Sequence, residues 1–165
     1  MKTVLLPVHP NWLELILSGK KTVEVRKTKP KEAVPFKVLL YCTKGPIELA
    51  RDKNENFVLL ARNKTADISD FEILSGKVIA EFVCDGIIYL GNVATDSWDR
   101  LLGSVHEHHK FIVRNQALLT EKEMLSYGGR YGWHISDLKI YKPKKLSEFG
   151  LKRAPQSWFY VEGGE

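Results

Sequence analysis

Five side chains that can bind anions or move protons crowd the stretch Lys20-Lys21-Thr22-Val23-Glu24-Val25-Arg26. Successive strand residues point to opposite sides, which puts Thr22, Glu24 and Arg26 on one face and Val23 and Val25 on the core face. Same-face neighbours stand about 6.5–7 Å apart, close enough for a carboxylate to orient a guanidinium. An arginine held in this way keeps its planar donor fork ready for a phosphate or a base edge. Lys21 enters the strand just after a helix stop at Gly19, where its stem can reach over either face. It could be a charge for phosphate. With a pKa depressed by burial or by a neighbouring cation, it could instead be a proton-transfer group, and Lys20 is the adjacent cation. The competing reading is an edge strand charged to resist pairing.

Other constellations carry less. In HEHHK (106–110), His106 and His109 could share a helix face, but no third ligand at suitable spacing accompanies them, so no metal is expected. Ser157 has no G-x-S-x-G elbow around it, and a triad with His134 and Asp137 has little support. Phosphate-cradling glycine loops and zinc-protease motifs are absent from the sequence, and no cofactor is expected. Cys42 and Cys84 lie in apolar runs that suit small core fillers. Trp133 and Trp158 stand beside polar or small residues in C-terminal strands near a basic cluster, where a ring could pack in the core or stack on a base.

The elements that must position these groups follow from periodicity. Residues 2–6 read as a strand ending at Pro7. Trp12, Leu13, Ile16 and Leu17 mark one helical face, with Asn11 as N-cap and Gly19 as stop. Strands are expected over 21–26, 36–42 and 57–62, and over 76–90 as two strands or one bent strand. Helices are expected from Thr95 and from Thr120, the latter with Glu123 completing a capping box. Residues 132–141 should form a strand ended by Pro143, KKLSEFG a helical turn, and 155–162 the last strand. Strands do not alternate regularly with helices, which disfavours a doubly wound parallel sheet. The pattern suits one α+β domain over residues 1–165, its sheet of mixed or antiparallel strands curling toward a small barrel flanked by helices.

With 44% hydrophobic and 27% charged residues, the 165-residue chain can bury a core without disulfides or metal. Its 25 Lys and Arg against 20 Asp and Glu give a formal charge of +5. That excess suits a polyanion. The basic residues fall in two groups: Lys20, Lys21, Arg26, Lys27, Lys29, Lys31 and Lys37, then Lys139, Lys142, Lys144, Lys145, Lys152 and Arg153. The opening MKTVLLPVHP lacks the apolar core of a signal peptide and no run approaches a membrane span, so a cytoplasmic protein without a membrane partner is expected.

SGKKTVEVRK resembles the G-x-K-T-x-E-x-R signature of the ASCH domain, a branch of the PUA-like superfamily. GKVIAEFVCD, YGWHISDLKIYKPKKLSEF and APQSWFYVE resemble later segments of small bacterial and phage-type ASCH proteins, so the resemblance covers essentially the whole chain. It implies a compact β-barrel flanked by helices, with a cleft beside the K-T-x-E-x-R strand, in a family regarded mainly as RNA-binding. Some relatives are hydrolases that deacylate N4-acylcytidine or cleave RNA. The amidase subgroup uses a lysine, a threonine and a glutamate. Lys21 matches the lysine, Glu24 replaces the threonine, and the glutamate position falls near Asn115. That amidase chemistry is therefore not carried over.

The expectation is an RNA- or nucleotide-binding module with a site of Lys20, Lys21, Thr22, Glu24, Arg26, Trp133, Ser157 and Trp158. The alternative is a small hydrolase acting on a modified nucleoside or RNA in the same cleft, with Lys21 catalytic. A third reading is a protein-interaction domain without a nucleotide ligand.

Overall fold

A computed structural model describes residues 1–62, 67–91, 107–127 and 131–162. The chain folds as two compact units, one of Met1–Gly19, Phe36–Val83 and Asp137–Glu165, the other of Lys20–Pro35 and Cys84–Ser136. The expected helix at Thr95 and His106 of the histidine cluster lie outside the described residues.

In the first unit, β1 (Thr3–Val8) pairs in parallel with β3 (Phe36–Cys42), register Thr3↔Lys37 to Val8↔Cys42. Both strands are almost continuously buried, as expected of parallel strands covered on two sides. The strand order continues β7-β3-β1-β9, where β7 is Val78–Tyr89 and β9 is Phe159–Tyr160. Strand β1 runs through Pro7 instead of stopping there. On its far side β9 reaches only Val4 and Leu5, so Pro7 interrupts no ladder on that side. Helix α1 (Pro10–Leu17) buries Pro10, Leu13, Ile16 and Leu17. Its N-cap is His9 rather than Asn11, because Pro10 takes the first helical position, where its missing N–H costs nothing. Gly19, at φ 76, supplies the left-handed turn past the C-cap Ser18.

A second sheet in this unit has the order β5-β4-β6, made of β4 (Ile47–Arg51), β5 (Phe57–Ala61) and β6 (Glu72–Ile73). A core of Leu5, Leu39, Tyr41 and Val78 is covered by Tyr141, Leu146, Phe149 and Leu151. The helical turn in KKLSEFG is a 3-10 turn, Leu146–Phe149.

The second unit has the strand order β2-β8-β7, with β2 at Val23–Arg26 and β8 at Tyr131–Lys144. The stretch 76–90 contains one long strand, β7, and β7 and β8 each contribute residues to both units. β8 passes through Pro143. Its pairing with β2 is confined to Tyr131–His134, so the proline lies where that neighbour has ended. Helix α2 (Glu107–Phe111) continues as a π-helical turn, Ile112–Gln116, and α3 (Glu121–Tyr127) follows. The capping box forms as expected. Glu123 N–H donates to Thr120 Oγ1 at 3.2 Å, and Thr120 N–H donates to Glu123 Oε1 at 3.1 Å. Among the described residues, no helix is long and apolar enough to cross a membrane.

Candidate functional site

Strand β2 is antiparallel to β8 with Val23↔His134, Glu24↔Trp133, Val25↔Gly132 and Arg26↔Tyr131. Residues directly opposite share a face, which groups Glu24 and Arg26 with Trp133 and Tyr131. Gly132 permits the close approach. A Cβ there would meet Val23 Cγ1 at 3.0 Å, so a larger residue would require the Val23 side chain to give way.

The charged face of β2 is covered. Glu24 is 6% exposed and Lys21 only 2%, while Val25 on the opposite face is half-buried. Alternation thus sets which residues share a face but does not divide core from solvent. The cover comes from the segment after the π-helical turn. Ala117 N–H donates to the Ile112 carbonyl at 2.8 Å, and Leu118, at φ 56, then turns the chain. This presents two carbonyls to the entrance of β2. Thr22 N–H donates to the Gln116 oxygen at 2.9 Å, and Lys21 Nζ donates to the Ala117 oxygen at 2.5 Å.

Lys21 Nζ also lies 3.5 Å from Glu24 Oε2, and Arg26 Nε lies 3.1 Å from Glu24 Oε1. One carboxylate therefore holds both cations, one through each oxygen. Desolvation lowers the Lys21 pKa below the ordinary 10.5. Glu24 opposes this by charge and by hydrogen bonding, Arg26 adds to the lowering, and Glu123 opposes it. The depressing neighbour is thus Arg26, whereas Lys20 is exposed. Asn115, the position aligned with a family glutamate, is exposed and donates through Nδ2 to the Phe111 carbonyl at 3.2 Å.

Six of the expected site residues, Lys20, Lys21, Thr22, Glu24, Arg26 and Trp133, lie in the second unit. Trp133 has 0% of its surface exposed. Ser157 and Trp158 lie in the first unit. Ser157 is exposed, and Trp158 is half-buried with its ring edge-on to Tyr160 at 5.4 Å. The basic groups divide likewise. Lys20 to Lys31 belong to the second unit, Lys37 and the C-terminal group to the first.

The carboxylate partner of His134 is Asp85, not Asp137. Nδ1 and Oδ1 are 2.6 Å apart, and this bond is the main cause that holds the Asp85 pKa below the usual carboxylate value. Asp137 instead pairs with Lys139 at 3.3 Å. Sequence periodicity gave no sign of the Asp85 bond, because it depends on β7 lying beside β8. Nor did it reveal Tyr131 or the Ala117 carbonyl, which register and a distant loop bring to Arg26 and Lys21.

Both cysteines are free and buried, and desolvation pushes the thiols up to about 11 at Cys42 and about 12 at Cys84. At neutral pH they are protonated and unreactive. Among the described residues no three His, Cys, Asp or Glu side chains are grouped to hold a metal ion.

No curated protein matches the chain. Its fold is similar to crystal structures of the ASCH protein from Zymomonas mobilis. For the unmodified protein the TM-score is 0.60 at 18% identity, covering 98% of this chain and 88% of that one. A Tyr-to-Phe mutant gives 0.60 at 17% identity, covering 98% and 91%. A Ser-to-Ala mutant gives 0.60 at 18% identity, covering 98% and 89%. These likenesses agree with the expected α+β, PUA-like class. The ASCH domain family matches residues 6–147, most of the length, and the chain belongs to that family.

Proposed function

We propose that the chain is an RNA- or nucleotide-binding module whose contact surface is centred on Arg26. The observation that carries this reading is the Glu24–Arg26 pair at 3.1 Å, with the Arg26 side chain 20% exposed at the end of edge strand β2. The Glu24 carboxylate stands beside the guanidinium as an ion pair, and a planar guanidinium is the group that suits a phosphate or base edge. The exposed Lys27, Lys29 and Lys31 follow directly and extend the positive surface. Lys21 acts from behind, holding the other oxygen of Glu24. Membership of the ASCH family, generally an RNA-binding PUA-like module, favours RNA over other polyanions. Fluorescence anisotropy with single-stranded RNA at low salt tests the reading. Binding that weakens in Arg26→Ala supports it, and binding indifferent to that substitution removes Arg26 from the interface.

A second reading is favoured by the lowered pKa of Lys21. A buried lysine that releases its proton more easily than usual suits general acid–base work, and Glu24 stands within 3.5 Å of it. On this reading the chain is a small hydrolase of a modified nucleoside or RNA. Incubation with acylated cytidines and labelled RNA separates the two. Turnover abolished in Lys21→Ala supports the hydrolase, and binding without turnover supports the module.

A further inference from the structure

Tyr89 on β7 keeps 55% of its surface in water, although it is a large aromatic side chain in a strand. Its ring centroid lies 5.5 Å from that of Tyr131, with the planes tilted by 55°. Tyr131 sits directly opposite Arg26 in the β2–β8 register, so its ring and the guanidinium rise from the same side of the strand pair. The chain then leaves β2 into the exposed Lys27, Lys29 and Lys31. All of these residues belong to the second unit. A single exposed ring is ordinary on a soluble protein. Two adjacent tyrosines beside an arginine fixed by Glu24, at the root of a lysine run, match the chemistry of unpaired nucleic acid. A π face next to positive charge accepts a base and its phosphate together.

We propose that the exposed Tyr89 ring, buttressed by the tilted ring of Tyr131, is a stacking platform for one unpaired nucleobase of single-stranded RNA, with Arg26 beside it and the Lys27–Lys31 segment following the backbone. The proposal rests on the RNA-binding reading above and adds the strandedness of the ligand. Every base offers a π face, so the platform tolerates sequence but requires an unstacked base.

The test is anisotropy with a labelled oligouridylate of about ten nucleotides, within the range of single-strand site sizes, against an RNA duplex of equal length. The proposal predicts that the single strand binds more tightly than the duplex. Tyr89→Ala weakens single-strand binding by about 5- to 150-fold, the range of base–aromatic stacking. Tyr89→Phe retains it, since the ring and not the hydroxyl is used. The salt dependence is the same in all three proteins, because no phosphate contact is lost. Wild-type binding that is unchanged in Tyr89→Ala, or equal for duplex and single strand, overturns the platform and leaves the RNA reading standing. Failure of the wild type to bind either probe overturns that reading and the platform with it.

Discussion

Glu24 and Arg26, two residues apart on β2, are joined at 3.1 Å between Oε1 and Nε, and the second oxygen of the same carboxylate faces Lys21 at 3.5 Å. Removing the carboxylate should act on both cations at once. Glu24 raises the Lys21 pKa against the dominant lowering by desolvation. Glu24→Gln should therefore lower that pKa further, measured by NMR titration of the Lys21 side chain. A rise in the variant would contradict the geometry.

Lys21 also sets a pH dependence. Its folded pKa lies below 10.5, so between the two values the unfolded chain holds a proton that the folded chain has released. Stability from this group therefore increases with pH across that window, and the cost of burying the cation is fully present below it. Urea unfolding of wild type and Lys21→Met should show the wild type gaining relative stability as pH rises toward 10.5. A falling difference would refute the assignment.

The cluster should be strongly non-additive. At 3.5 Å the Lys21–Glu24 attraction is about 5 kcal/mol at an effective dielectric near 20, offset by desolvation of several kcal/mol per ion. Glu24→Leu strands a buried lysine and should cost about 3–5 kcal/mol. Lys21→Met should cost less, since Glu24 keeps Arg26. The double variant should cost less than the sum, measured by urea unfolding. Additive values would mean that the pair is not coupled.

The capping box and the Asp85–His134 pair are separable controls. Thr120→Ala should destabilise by about 1 kcal/mol through loss of the α3 cap. Asp85→Asn should cost under about 1 kcal/mol at neutral pH, because both side chains are roughly half exposed. The Asp85 pKa is lowered in the folded state, so its contribution is present above the unfolded value and fades as pH falls through the folded one. The cost of Asp85→Asn should accordingly vanish in acid. A cost that persists there would point to packing rather than charge.

Much of this was legible in the sequence where one local signal sufficed. Strand β3 begins and ends at the expected residues, the α1 stripe is buried at Leu13, Ile16 and Leu17, and Thr120 and Glu123 cap α3. Pro7 and Pro143 misled as strand ends, because whether a proline breaks a strand depends on which side still has a neighbour. β4 escaped notice because its short IELAR segment places a buried Glu48 among apolar residues, tolerated by its ion pair with Arg62 at 3.2 Å. At the site, alternation correctly grouped Glu24 with Arg26. It could not foresee that Ala117, 96 positions from Lys21, would bury that lysine. Contacts of that span are fixed by tertiary packing and leave no local period.

The central claim is that Arg26, fixed by Glu24, meets an RNA phosphate or base. The most direct test is the single-stranded RNA affinity of wild type and Arg26→Ala across a salt series. The account predicts a linear fall of log affinity with log salt, weaker binding in the variant, and a slope shallower by about 0.7, the value for one phosphate contact on a single strand. Equal affinities and equal slopes for the two proteins would contradict it.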